Sequence, residues 1–335
     1  MPRTLSHLIA NTQLLSPTNL RIRSHWRRTM AAAPPPSRRI KLLMLHGYTQ
    51  SGSLFQAKTG ALRKTLSKAF PKGIELVYPT APIRLTPADE SWLAGTATDT
   101  TGGEQKQEQE LDAWAWWKRK DQGGGNGPGG KGYTYEGIEI GLGHIASVLK
   151  EQGPFDGVVG FSQGGACAAM VASLLEPDRR AAFQAQVPKG GLPYPQSFES
   201  DDASGSSRAI HPPLKFAVSY SGFLAIGENP YQAFYDPKIQ TPMLHFLGTQ
   251  DVVVEEKRSL ALVQACVHQE ERYVVYHPGG HFLPSTQKAS VNALIGFIKE
   301  VLHSEEEAAG AGKKEEESVE DMDVPFLSRG YYGLV

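Results

Sequence analysis

A serine stands between glycines in Gly160-Phe-Ser-Gln-Gly164, directly after the apolar run "GVVGF" and before the small-residue run "GGACAAMVASLLE". That is Gly-x-Ser-x-Gly at a junction between a strand and a helix, where the pattern has mechanical meaning. The serine must sit on a strained turn with its hydroxyl pushed away from the backbone. Side chains two residues to either side would collide with neighbouring elements, so Gly160 and Gly164 are needed there. The alternative role for Ser162 is the N-cap of the following helix. A hydroxyl alone is a poor nucleophile and needs a general base, which in turn needs an orienting group. In this fold type the order along the chain is serine, acid, histidine. "HFLGTQDVVV" presents Asp251 just after a strand, and "YHPGGHFLP" presents His281 in a Gly-rich loop after the next. His281 would take the Ser162 proton and Asp251 would fix its tautomer.

Competing residues read differently. His277 ends its strand and reads as structural. His245 lies inside a strand, as a core histidine does. Asp236 in "FYDPKIQ" precedes a strand instead of following one. Acyl transfer also needs two backbone donors for the developing oxyanion. Gln163, the residue after the serine, supplies one. Tyr48 in "LHGYTQSG", after the first strand, is the choice for the other, and His46 supports that loop by hydrogen bonding. Activity carried by such a histidine should rise with pH as the ring becomes neutral, with a midpoint near ~6–7 for an ordinary side chain.

Strand-like and helix-like runs alternate around these residues. Strands are predicted at 40–46, 74–79, 157–161, 214–222, 242–248 and 272–277. Helices are predicted at 54–70, 135–152, 164–176, 255–267 and 286–302. Such alternation predicts an α/β fold with a mostly parallel central sheet and helices on both faces. Sites in these sheets lie beyond the carboxyl ends of the strands. Two insertions break the rhythm. Residues 87–132 are polar and Gly-rich around "LDAWAWWKRK", and 176–213 are rich in Pro, Ser and Gly. Both are expected to be functional covers or disordered, with mobile tips. The Trp114, Trp116 and Trp117 cluster reads as core packing under the loop or as one wall of an acyl pocket.

The 335 residues are 40% hydrophobic and 21% charged, with a net charge of −1. That is enough for one large domain, and it asks for neither nucleic acid nor a membrane surface. Two cysteines, Cys167 and Cys266, make no disulfide framework or metal set. No apolar run approaches the ~20 residues of a spanning helix. Residues 1–39 are basic, with no Asp or Glu before Glu75. They read as a disordered extension or a transit peptide. Residues 303–335 read as an acidic, disordered tail. The expected location is the cytoplasm, with the nucleus also open and mitochondria as the alternative.

"LMLHGYTQSG", "YPTAPIRL", "AWWKRKD", "GPFDGVVGFSQGGACAA", "PMLHFLGTQDVVVEEKRSLAL" and "HPGGHFLP" together resemble the serine hydrolase FSH family, over about residues 40–302. These are eukaryotic α/β-hydrolases common in fungi. The resemblance implies an α/β-hydrolase fold, hydrolysis of small-molecule esters or thioesters, and no cofactor. Its nucleophile, acid and base match Ser162, Asp251 and His281. Some fungal members release polyketide chains as thioesterases. Acyl-protein thioesterases also carry Gly-Phe-Ser-Gln-Gly, and a binding module that keeps the fold is the non-enzyme alternative.

Overall fold

The structure is a computed structural model, described for residues 38–90, 112–121, 133–201, 207–225 and 230–320. Six strands form one all-parallel sheet. They are β1 (Ile40–Leu45), β2 (Ile74–Val77), β3 (Gly157–Phe161), β4 (Phe216–Tyr220), β5 (Met243–Gly248) and β6 (Val274–His277). Their spatial order is β6-β5-β4-β3-β1-β2. Among the described residues the longer helices are α1 (Gly52–Lys58), α2 (Gly60–Ala69), α3 (Ile138–Gln152), α4 (Gln163–Leu174), α5 (Arg179–Gln186), α6 (Glu256–Gln264) and α7 (Lys288–Glu320), with a single turn at Pro87–Glu90.

The strand sequences explain why both faces are covered. Successive side chains alternate between faces. Ile40, Leu42 and Met44 of β1 pack with Phe55, Leu62 and Leu66 of α1 and α2, and with Leu294, Phe297 and Ile298 of α7. Leu43 and Leu45 turn the other way and join Leu142 and Ile145 of α3, the apolar side chains of α4, and Leu262 of α6. All residues of α4 are buried. A helix apolar around its whole circumference belongs inside a core. Its small residues let it lie close to the sheet: a Cβ on Gly164 would stand 2.1 Å from the Leu45 carbonyl oxygen.

The strand order reverses between β1 and β3, since β2 lies on one side of β1 and β3 on the other. The crevice beyond the carboxyl ends of strands at such a point is where open α/β sheets bind ligands. Ser162 follows β3 there, and the Gly47–Ser51 loop follows β1.

Several boundaries differ from the sequence expectation. The helix predicted over 54–70 is two helices meeting at Thr59. That hydroxyl is fully buried, bonded to the Phe55 carbonyl at 2.8 Å and to the Tyr78 hydroxyl at 2.9 Å. The helix predicted from Tyr135 begins at Ile138. Gly137, at φ 78°, ends a strand over Tyr133–Glu136 that pairs with Lys118–Asp121. The 176–213 segment is not a plain loop, because it holds α5 and buries Phe183 and Phe198. The closing helix runs to Glu320 instead of stopping at Leu302, so the acidic stretch continues it. The basic N-terminal stretch before Arg38, residues 321–335 and the expected mobile tips around 91–111, 122–132 and 202–206 lie outside the described residues.

Candidate active site

Ser162 sits at φ 54° and ψ −116°, a backbone conformation that non-glycine residues rarely hold. Three contacts force the turn. Its N–H donates to the Tyr220 carbonyl of β4 at 2.7 Å, and its own carbonyl accepts from Gly165 at 2.9 Å and Ala166 at 3.1 Å. A Cβ on Gly160 would stand 1.9 Å from the Gly164 carbonyl oxygen, so the turn closes only over glycine. The side chain makes no capping bond to α4. Its hydroxyl instead lies 2.9 Å from His281 Nε2. The capping alternative is therefore wrong: the helix begins at this serine without using its oxygen.

His281 Nδ1 lies 2.8 Å from Asp251 Oδ2. The other carboxylate oxygen, Oδ1, accepts from the N–H groups of Val253 at 3.0 Å and Val254 at 2.9 Å. Burial pushes the Asp251 carboxyl up, but hydrogen bonding and charge from His281, with help from the Val254 N–H and the Ser221 hydroxyl, leave it below the usual carboxylate range. It is ionised at neutral pH, so the ring nitrogen facing it carries the proton and Nε2 is left to accept from Ser162. Phe161 packs on the His281 ring, with centroids 5.0 Å apart. Ser162, His281 and Asp251 thus stand as one hydrogen-bonded chain, although each arrives from a different strand end.

The loop after β1 is pinned from several directions. Gln50 N–H donates to the Gly47 carbonyl at 3.2 Å, and the Gln50 side chain accepts from Gly47 N–H at 3.3 Å. Thr49 N–H reaches the Trp114 carbonyl at 3.0 Å, and the Tyr48 hydroxyl donates to the Asp89 carbonyl at 3.1 Å. Ser51 caps α1 by accepting from Leu54 N–H and bonds the Asp112 carboxylate at 2.5 Å. Gln163 opens α4, where the first N–H groups have no partner within the helix. The loop lies against the serine, since a Cβ on Gly47 would stand 3.3 Å from Ser162 Cβ, and Gln163 follows Ser162 directly.

His46 supports this loop, as expected. Its Nε2 accepts from Ala81 N–H at 2.9 Å and its Nδ1 lies 2.8 Å from the Gly47 carbonyl. Burial lowers its pKa to about 4, so the ring is neutral. Trp116 and Trp117 are core residues, close to fully buried. Trp116 Nε1 donates to the His46 carbonyl at 2.9 Å, so these two back the site as core packing, while Trp114 is half-buried.

One role was missed. The Gln163 side chain accepts from Trp116 N–H at 2.9 Å and donates to the Trp117 carbonyl at 2.7 Å. It clamps the tryptophan segment to the serine turn. The only sequence signal was an amide where any residue would supply a backbone N–H.

The competing residues fall away. Burial lowers the His245 pKa to about 3, and its Nε2 lies 3.8 Å from Cys266 Sγ. His277 is buried against Phe282, and burial lowers its pKa too. Asp236 is exposed and bonds Gln232. Both cysteines are buried, and burial pushes their thiols up, Cys266 to about 12. Among the described residues no group of three or more His, Cys, Asp and Glu could hold a metal, and no helix is long and apolar enough to cross a membrane.

Two exposed apolar residues lie next in the chain to the site. Val252 is 78% exposed and Phe282 40% exposed, each directly following Asp251 or His281.

A parallel sheet sandwiched by helices, with a strained serine at the reversal point and a histidine and a carboxylate after later strands, defines an α/β-hydrolase. The chain belongs to the serine hydrolase (FSH1) family, whose sequence profile matches residues 36–293. It is a serine hydrolase. It is 31% identical over 261 residues to the esterase OVCA2 of Danio rerio, covering 76% of this chain and 93% of that protein. It is 29% identical to family of serine hydrolases 3 of Saccharomyces cerevisiae, covering 80% and 87%. It is also 36% identical over 253 residues to a Schizosaccharomyces pombe protein named dihydrofolate reductase, of which the match spans only 44%. Among solved structures, acyl-protein thioesterase 2 of Zea mays matches 80% of this chain and 96% of that one, at 20% identity and a TM-score of 0.45.

Proposed function

We propose that the protein hydrolyses carboxylic esters or thioesters of small molecules through an acyl-enzyme at Ser162. The observation that carries this reading is the unbroken chain from Ser162 Oγ through His281 to Asp251, at 2.9 and 2.8 Å. Ser162 Oγ attacks the acyl carbon as His281 Nε2 takes its proton. The carbonyl π electrons move to the oxygen, which the N–H groups of Tyr48 and Gln163 stabilise. The tetrahedral adduct collapses and the alkoxide or thiolate leaves with the proton from Nε2. Water then attacks the acyl-enzyme by the same route, releasing the acid and restoring Ser162. Asp251 stays ionised throughout and offsets the imidazolium charge.

The proton on Nε2 goes to the leaving group, so that part of the substrate lies near His281. Exposed Phe282 and Val252 support an apolar leaving group or chain on this side. A non-catalytic binding module would leave the strained turn and the aligned side chains without a purpose.

The test is labelling by a fluorophosphonate, read by intact mass, on the wild-type chain and on Ser162→Ala. One adduct on the wild type and none on the variant is expected. An unlabelled, folded wild type, or equal labelling of both, would sink the assignment. Ester and thioester pairs with matched acyl groups then decide between the two substrate classes.

A further inference from the structure

The loop that carries Tyr48 holds a conformation it would not keep alone. Thr49, the next residue, has φ 64°. A β-branched side chain is a genuine outlier in that left-handed region. Two bonds hold it there. Its N–H donates to the Trp114 carbonyl at 3.0 Å, and its hydroxyl donates to the Tyr48 carbonyl at 2.6 Å. Trp114 N–H returns a bond to the Gln50 carbonyl at 3.2 Å, so the loop and the tryptophan segment form a short antiparallel bridge. Strain of this kind persists only where the surroundings over-determine it. The Tyr48–Thr49 peptide is therefore only as fixed as the segment that carries Trp114.

Asp112, two residues before Trp114, fixes that segment. Its Oδ1 accepts from the Trp114 indole Nε1 at 2.8 Å, and its Oδ2 accepts from the Ser51 hydroxyl at 2.5 Å. The Ser51 bond, then the Trp114 bond, hold the carboxyl below the usual carboxylate range. Both oxygens are engaged although the residue is exposed, where a carboxylate has water to hand. Ser51 is a firm anchor. Its hydroxyl caps α1 by accepting from Leu54 N–H at 3.3 Å, and its single proton goes to Asp112. The start of α1 is itself wedged in place. Gly52 N–H bonds the Thr80 hydroxyl at 3.0 Å, and a Cβ on Gly52 would stand 2.2 Å from the Tyr78 carbonyl oxygen. One carboxylate thus spans from the fixed end of α1 to the residue that holds Thr49.

We propose that Asp112 is a positioning residue for the oxyanion donor: by tying the Trp114 segment to the start of α1 it keeps Thr49 strained and the Tyr48 N–H set for the developing charge. Without that tie the Trp114 strand can draw back, Thr49 relaxes to an ordinary φ, and the peptide beside the donor turns. A donor set for the tetrahedral state instead of the flat substrate carbonyl acts on kcat and leaves KM alone. The inference rests on the triad mechanism above, with Tyr48 as one donor.

Two variants cut the tie at different atoms. Asp112→Ala removes both bonds, whereas Trp114→Phe removes only the indole N–H and keeps an aromatic ring and the backbone bridge. Each is compared with wild type and Ser162→Ala in steady-state ester hydrolysis, thermal unfolding and inhibition by a trifluoromethyl ketone. Ser162 Oγ adds to the carbonyl carbon of that ketone, His281 takes the proton, and the oxygen becomes the anion that the donors hold. Expected in Asp112→Ala is a fall in kcat of about tenfold, less than the roughly hundredfold for a donor lost outright, with KM within about twofold. The inhibition constant of the ketone should rise by the factor that kcat falls. Trp114→Phe should move both in the same direction by less. The unfolding midpoint of Asp112→Ala should barely move, as for most surface substitutions. Wild-type kcat in both variants overturns the inference. So does a fall in kcat with an unchanged inhibition constant, which would place the effect away from the oxyanion, and so does a fall matched by loss of folded protein. Turnover surviving in Ser162→Ala would instead bring down the mechanism beneath it.

Discussion

The two ends of α4 bury polar groups for opposite purposes. At its start the Ser162 hydroxyl, the His281 ring and the Asp251 carboxylate form one line with a proton to move. Just beyond its end, Glu176 and Arg179 form a buried ion pair, 7% and 2% exposed. There the acceptors are saturated. Glu176 Oε1 takes the Gln240 N–H at 2.7 Å, the Thr241 N–H at 2.8 Å and the Thr241 hydroxyl at 2.9 Å, and Oε2 takes Arg179. Arg179 also binds the carbonyls of Ala233, Pro237 and Lys238, leaving only its Nε unpartnered. Backbone strain does not separate the two ends, for Asp178 has φ 62° beside the pair. The difference is whether the chain of bonds has a proton to pass. A charge tied to fixed carbonyls and N–H groups holds elements together, and a hydroxyl bonded to a ring nitrogen can give its proton up.

The largest way to break this contrast is Asp251→Asn. The amide keeps the shape but lets the His281 ring settle with the proton on the wrong nitrogen. Turnover should fall by roughly 10⁴-fold while the unfolding midpoint barely moves. Ester hydrolysis and a thermal melt check it, and a variant within tenfold of wild type would remove Asp251 from its place. Arg179→Met is the mirror experiment at the other end. It strands the Glu176 carboxylate in the core and should cost about 3–5 kcal/mol of stability. Denaturant unfolding measures that loss, and turnover per folded molecule should stay near wild type. A fall in turnover with unchanged stability would mean the two ends are not divided as described.

Acid separates the ends more gently. Ordinary histidine titrates near 6.5, while burial holds His46 near 4 and His245 near 3. Between pH 6.5 and 4 the unfolded chain binds protons that the folded chain refuses, so stability falls as pH falls through that window. For His46 the loss is on the order of 3 kcal/mol, from about 1.4 kcal/mol for each pH unit of difference. Asp251, held below the usual carboxylate range, stays ionised over much of the same window. Unfolding midpoints recorded from pH 7 to 4 should therefore drop, with a shallower slope in His245→Leu. A flat profile would show that neither ring is held neutral.

What the sequence disclosed depends on how far apart the partners lie. All six sheet strands were readable because each carries its own apolar run. So were Ser162, Asp251 and His281, because the fold type orders them along the chain. The break at Thr59 was not, since it follows from a hydroxyl meeting Tyr78 across the core. Tyr135 looked helical until pairing with Arg119 made it a strand. The Glu176–Arg179 pair lay in a segment that read as loop, and its carbonyl acceptors come from 54 to 59 residues away. Local pattern reports elements, and these features are agreements between elements.

Gln163 gives the smallest and sharpest test, because it belongs to both kinds of region. Its backbone N–H is the donor proposed for the oxyanion, while its side chain is a fixed clamp between Trp116 N–H and the Trp117 carbonyl. The same segment reaches the other donor loop through the Trp114 carbonyl and Thr49 N–H. Gln163→Ala keeps the N–H and strips the clamp, so two backbone groups in a buried segment lose their partners, at a cost of about 1–3 kcal/mol. If the clamp only stabilises, denaturant unfolding will show the loss and kcat will hold. If it also registers the Tyr48 loop against the nucleophile, kcat will fall further than the folded fraction does. We expect the second result, because the tryptophan segment is bonded both to the loop that carries Tyr48 and to Gln163. Gln163→Glu adds a direction. A carboxylate can still accept from Trp116 N–H but repels the Trp117 carbonyl, and it would place a charge beside the developing oxyanion. Its kcat should therefore drop below that of Gln163→Ala, and the reverse order would show that the amide acts on stability alone.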